Sequence, residues 1–265
     1  MSAEHWGGRP RDWADLAEPS NEPLFAEVLR RLHVGRGTRL LDVGCGSGYA
    51  ARMAARLGAV VTGLDVTPEL LAIARERLPE GDFHEGGMDA LPFADAAFDA
   101  VAGFNAFAFA GDPAGAVGEA ARVARAGGHV AATTFAEADR NESTALHLAL
   151  EPLRAPAAAP HLPYALSEPG GLDRLLGSAG LELVHSGEVA LVWAHDSAEL
   201  AVRAVLASGG GAMAIEAAGE AAAGDALRGA VARFTLPDGR VEMHNVFRYA
   251  IARRPEGLIR GSKSA

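Results

Sequence analysis

The stretch Leu40-Leu41-Asp42-Val43-Gly44-Cys45-Gly46-Ser47-Gly48-Tyr49-Ala50-Ala51 constrains this chain more than any other. An apolar run stops at an acid, crosses three glycines at alternate positions and continues as a helical pattern. That order reads as a buried strand, a tight turn and the start of a helix. Glycine at 44, 46 and 48 strips Cβ atoms from the turn, so a ligand can lie against bare backbone. A helix starting near Tyr49 points unpaired N–H groups toward that ligand. In open α/β sheets, a turn at the carboxyl end of a strand is where nucleotide-type ligands bind.

The spacing narrows the ligand. NAD-dependent oxidoreductases use G-x-G-x-x-G. Here the third glycine falls one residue earlier, and Asp42 stands two residues before the first. A carboxylate repels a pyrophosphate and attracts an α-ammonium group, which disfavours a dinucleotide. The whole string L-D-V-G-C-G-S-G resembles the glycine-rich motif of class I S-adenosylmethionine-dependent methyltransferases, of the UbiE-like, small-molecule type. The resemblance covers residues 38–136 and, more loosely, the last strand.

Residue by residue, the resemblance implies a cofactor site. Asp42 would accept from the methionyl ammonium. Gly44, Cys45, Gly46 and Gly48 would bring backbone against the methionyl part. Asp65, closing the second strand, would chelate the ribose hydroxyls, and Val66 would pack on the adenine. The segment from Gly86 to Phe93 resembles the family's G-D-A-E-x-L-P-F, but Gly87 stands where its adenine-binding Asp would be. Met88 offers a backbone N–H there, and Asp89 aligns with the family's Glu. Phe104 and Asn105, after the fourth strand, would face the methionyl part and the substrate. The implied cofactor is S-adenosylmethionine, with S-adenosylhomocysteine as product, and the implied reaction is in-line transfer of a methyl to O, N or C of a small molecule. An enzyme of the same fold that binds this cofactor but cyclises or decarboxylates would carry the same residues.

No catalytic residue is assigned by the motif. A hydroxyl acceptor needs a general base; His147, His161 and His244 are candidates, and His195 lies in the same segments. No H-x-E or H-E-x-x-H spacing supports a metal, and the single cysteine, Cys45, can build neither a disulfide framework nor a Cys-based metal site.

Along the chain, strands are expected at Arg39–Val43, Val60–Leu64, Asp82–His84, Phe98–Gly103 and His129–Phe135. Helices alternate with them, opened by Pro23, Tyr49, Thr67-Pro68 and Pro113. Strand alternating with helix at this spacing means βαβ units and a parallel sheet. A break is expected at Gly127-Gly128. Later come helices over Glu142–Leu153 and Gly171–Ala179, a strand over Glu182–Trp193, helices over 196–232 interrupted at Gly209–Gly211 and Gly224, and a last strand over Val241–Ala252. The fold class is therefore α/β. The resemblance makes it a Rossmann-like, doubly wound, seven-stranded sheet, mostly parallel with an antiparallel last strand, with helices on both faces and helical lids. One domain spans 1–265, with 38–136 as the cofactor core and 1–33, 139–170 and 194–235 as lid segments.

A net charge of −10 over 265 residues argues against nucleic acid, which needs a basic face, and against an anionic membrane. Nothing reads as a secretory signal or a membrane span. The expected setting is cytoplasmic. The expected partner is a small-molecule methyl acceptor, with the protein a monomer or homodimer.

Overall fold

The computed structural model describes residues 3–154 and 166–257. Seven strands form one sheet: β1 (Arg39–Val43), β2 (Val60–Asp65), β3 (Asp82–Glu85), β4 (Phe98–Gly103), β5 (Ala124–Phe135), β6 (Glu182–His195) and β7 (Val241–Arg253). Their spatial order is β3-β2-β1-β4-β5-β7-β6. The first five are parallel. β7 inserts antiparallel between β5 and β6, as the resemblance implies. The chain reverses its winding between β1 and β4. The turn after β1 therefore sits at the switch point, where an open α/β sheet leaves a crevice.

The helices are α1 (Ala3–Gly7), α2 (Pro10–Asp12), α3 (Glu22–Arg31), α4 (Tyr49–Arg56), α5 (Pro68–Arg77), α6 (Pro113–Val123), α7 (Thr144–Leu150), α8 (Gly171–Ser178), α9 (Ala198–Leu206), α10 (Gly209–Ala218) and α11 (Glu220–Val231). Leu24 and Val28 of α3, Ala51 of α4 and Leu71 of α5 pack on one face of the sheet. Val117 of α6 and Leu176 of α8 pack on the other. A third cluster joins Leu146 of α7, Val202 of α9, Ala214 of α10 and Leu227 of α11 to Met243 at the start of β7. This cluster forms a cover over the carboxyl ends of the parallel strands.

Three expectations are corrected. Gly127 and Gly128 lie within β5, which begins at Ala124. The register against β4 shifts between Phe98 and Ala100, and a Cβ on Gly128 would come within 2.9 Å of the Asp99 carbonyl oxygen. These glycines permit an irregularity in the strand, a usual role for glycine there. Gly209–Gly211 open α10, with the Ser208 hydroxyl accepting from Gly211 N at 3.2 Å, and Gly224 lies inside α11. The chain bends by 87° between α9 and α10. A Cβ on Gly211 would sit 2.4 Å from the Val205 carbonyl oxygen, so glycine lets the two helices meet. The helix expected over Glu142–Leu153 is α7 followed by one tighter turn, Glu151–Leu153.

Candidate functional site

The glycine turn leaves the end of β1 with Gly44, Gly46 and Gly48 all left-handed (φ 70°, 52° and 76°). Residues with a Cβ rarely adopt that conformation. Gly44 N and Cys45 N both donate to the Leu64 carbonyl, at 2.7 and 3.1 Å, which ties the turn to the end of β2. Burial pushes the Cys45 thiol well above its usual range, so it is an inert small residue in the turn.

Asp42 and Asp65 flank this turn differently. Asp42 is buried, and neither of its oxygens has a hydrogen-bond partner among the described residues. Burial raises its carboxyl to about 8, helped by the nearby carboxylates of Glu18 and Asp65. Asp65 accepts from Gly46 N at 2.8 Å and Thr67 N at 2.9 Å. Burial still leaves its pKa raised. Each Asp65 oxygen keeps a further lone pair for a hydroxyl donor. Thr67 begins α5, as its position suggests, but its hydroxyl makes no cap bond. The Asp65 carboxylate bonds the Thr67 N–H instead. Beside it, Val66 is 41% exposed.

Glu18 completes the site, and no local pattern in the sequence marks it. Its Oε1 accepts from Ser47 N at 2.9 Å and from Trp13 Nε1 at 3.1 Å. Its Oε2 accepts from the Ser47 hydroxyl and, at 2.8 Å, from Arg77 Nη1. Arg77 Nη2 also donates to the Ala14 carbonyl at 2.6 Å. The segment before α3 is thus pinned across the turn. Burial pushes the Glu18 pKa up, against the lowering effect of Ser47 and Arg77. Three acids therefore surround the turn, with one guanidinium among them.

The other expected residues lie around this centre. Met88 is half-buried against the second of the sheet's apolar clusters, whereas Gly87 and Asp89 are exposed. Asn105 is left-handed (φ 52°), and its backbone N–H donates to Thr133 Oγ1 at 2.9 Å while that hydroxyl donates back to Asn105 Oδ1. Phe104 stands edge-on to Phe25, with centroids 4.8 Å apart. Trp6 packs edge-on against Trp13 and Phe109.

The candidate histidines separate. His147 and His195 line a cavity beneath the cover. His244 is on the surface, paired with Glu142 at 3.1 Å with its side chain 70% exposed, so it does not reach the site. His161 lies outside the described residues. Among the described residues no cluster of His, Cys, Asp or Glu could hold a metal, and no single helix is long and apolar enough to cross a membrane.

The model of a methyltransferase domain matches residues 41–132. Over those residues the chain is similar to class I S-adenosylmethionine-dependent methyltransferases. It is 47% identical over 95 residues to a demethylmenaquinone methyltransferase of Chlorobaculum parvum, covering 35% of this chain and 39% of that one. It is 35% identical over 130 residues to a malonyl-(acyl-carrier protein) O-methyltransferase of Pectobacterium atrosepticum, covering 49% and 50%. The chain thus spans half or less of the length of these curated relatives. Among solved structures, the (4+2)-cyclase SpnF resembles it with a TM-score of 0.57 at 25% identity, covering 88% of this chain and 80% of that one.

The family's methyl donor is S-adenosylmethionine. The residues around the glycine turn fit that cation. A buried carboxyl without a partner is unfavourable, and an ammonium ligand would relieve it. Gly87, which departs from the family's motif, is exposed, and a Cβ there would meet nothing within 4 Å.

Proposed function

We propose that this chain transfers the sulfonium methyl of S-adenosylmethionine to an O, N or C atom of a small molecule by in-line displacement. The observation that carries the reading is Asp42, buried beneath the glycine turn with both oxygens unpartnered. The donor supplies a methyl already activated by its positive sulfur. Asp42 would hold the ammonium and Asp65 the ribose hydroxyls. The turn of Gly44, Cys45, Gly46 and Gly48, together with Phe104 and Asn105, would bound the methionyl part. Val66, Gly87, Met88 and Asp89 would line the adenine end. The cover would exclude water, and alignment in a dry site is the main contribution a protein makes to such a transfer. In this reading the whole chain is one methyltransferase unit: 38–136 holds the donor, and described parts of 1–33, 139–170 and 194–235 close over it.

The likeness to the cyclase SpnF favours a second reading, in which the same cofactor site serves a non-methylating reaction. Titration calorimetry tests the donor site. S-adenosylmethionine and S-adenosylhomocysteine should bind, and Asp65→Ala should weaken both more than tenfold. No affinity in a folded wild-type protein rejects the reading. A product heavier by one methyl separates transfer from cyclisation.

A further inference from the structure

Between the turn and the cover lies a cavity with about 460 Å³ of empty space, part of it continuous with solvent. Trp13, Asn21, Ser143, Leu146, His147 and Trp193 form much of its wall. Trp13 also bonds Glu18, which bonds Ser47, so one indole separates the cavity from the glycine turn. Resting on the donor site proposed above, we infer that this cavity receives a neutral, largely apolar acceptor whose single polar group is held at Ser143 and His147.

Among the described residues the wall contains no Arg, Lys, Asp or Glu. Its two histidines stay uncharged at neutral pH: burial lowers His147 to about 4 and also lowers His195. An ionised acceptor would lose hydration here and gain no counter-charge, which strongly disfavours it. Aromatic faces fill the apolar part. Phe135 stands edge-on to both His147 and Trp193, and Trp193 satisfies its own N–H on Asn21 Oδ1 at 3.3 Å.

Ser143 gives the cavity a polar group that the protein leaves unpaired among the described residues. The residue is wholly buried, and its hydroxyl has no hydrogen-bond partner among the described residues. Its backbone is fixed by Asn245, whose Oδ1 accepts from Ser143 N at 3.1 Å. His147 lies four residues on, so both side chains project from one face of α7 and its cap. A buried hydroxyl left unpaired is costly, and an acceptor with a hydroxyl or similar group would relieve it. Arg154 acts electrostatically on His147 but is not part of the wall. An anionic acceptor drawn toward it is the alternative outcome.

Equilibrium dialysis against protein saturated with S-adenosylhomocysteine tests this, with 1-naphthol, naphthalene and 1-naphthoate as probes. 1-Naphthol should bind at least tenfold more tightly than 1-naphthoate. It should also exceed naphthalene by about fivefold, the usual scale of one hydrogen bond. Ser143→Ala should erase that second difference and leave naphthalene and S-adenosylhomocysteine binding unchanged. Ala204→Phe, which fills the wall, should reduce binding of every probe while the nucleoside still binds. Naphthoate binding as well as naphthol overturns the inference. So does an unchanged naphthol–naphthalene gap in Ser143→Ala, or no naphthol binding up to its solubility limit. Failure of the wild type to bind S-adenosylhomocysteine rejects the donor site instead. Should Ala204→Phe fail to fold, the Ser143→Ala comparison still decides.

Discussion

Asp42 is a residue whose chemistry its surroundings change strongly. An ordinary aspartate in an unfolded chain titrates near about 3.9. In the folded chain the carboxyl titrates near about 8, through burial first and then the carboxylates of Glu18 and Asp65. Between those values the folded state holds a proton that the unfolded chain has released. Stability from this group is therefore fully present at low pH and falls as pH rises from about 4 toward 8. A cationic ligand needs the ionised form, so binding below pH 8 expels a proton. Affinity for S-adenosylmethionine is expected to rise from pH 6 to 8, by at most about tenfold per unit, relative to an Asp42→Asn variant, in which that rise disappears. Calorimetry in two buffers of different ionisation enthalpy reads the proton directly. No release by the wild type at pH 7 contradicts this role for Asp42.

At the scale of elements, two glycines of one turn, Gly46 and Gly48, do different work. A Cβ on Gly48 would lie 2.9 Å from Ala74 Cβ and 3.1 Å from Ala74 Cα, so it would drive α4 away from α5. A Cβ on Gly46 would meet no backbone, only side-chain atoms: Glu18 Oε1 at 2.6 Å, an oxygen that Ser47 and Trp13 already hold, and Trp13 Nε1 at 3.6 Å. Both substitutions incur the left-handed penalty of about 1–2 kcal/mol. Gly48→Ala adds a helix–helix clash, of the order of 1–3 kcal/mol for overpacking. Urea denaturation should therefore place Gly48→Ala well below Gly46→Ala in stability. Gly46→Ala should remain folded yet lose nucleoside affinity, because its methyl stands where Glu18 and Trp13 close on the turn. Equal stabilities would mean that the α4–α5 contact is looser than the structure places it.

The same elements explain what could be read from the residues alone. β1 and β4 are apolar runs bounded by turn residues, and their observed limits match the expected ones. Pro113 opens α6 and Pro68 opens α5, because proline suits the first helical turn. Gly127-Gly128 misled, because glycine can end a helix or permit an irregular strand, and only pairing against β4 decides which. Glu18 was illegible for a similar reason. Its partners Ser47 and Arg77 lie far along the chain, and nothing in Ala17-Glu18-Pro19 points to them. Asp42 and Asp65 were legible as acids tied to strand ends, though not the absence of partners around the first.

Across the whole molecule, burial is divided. Two apolar clusters clasp the sheet, and a third holds the cover together, meeting the sheet through Trp193, Val241 and Met243 at the ends of β6 and β7. Such a cluster can open as a unit while the sheet stays folded, since local stability follows buried contacts and not the chain average. Opening would also release the segment around Trp13 and Glu18, which is held from one side by α9, through the Arg203–Asp12 ion pair, and from the other by Arg77. Amide exchange should therefore be faster in α9, α10, α11 and residues 13–21 than in β1, β4 and β5. Bound S-adenosylhomocysteine should slow residues 13–21 and 44–48 most, because the ligand would sit between them, and protection should extend more weakly into α9. Uniform slowing throughout the chain would mean that cover and sheet unfold together. Slowing confined to 44–48 would mean that the leading segment does not close over the site.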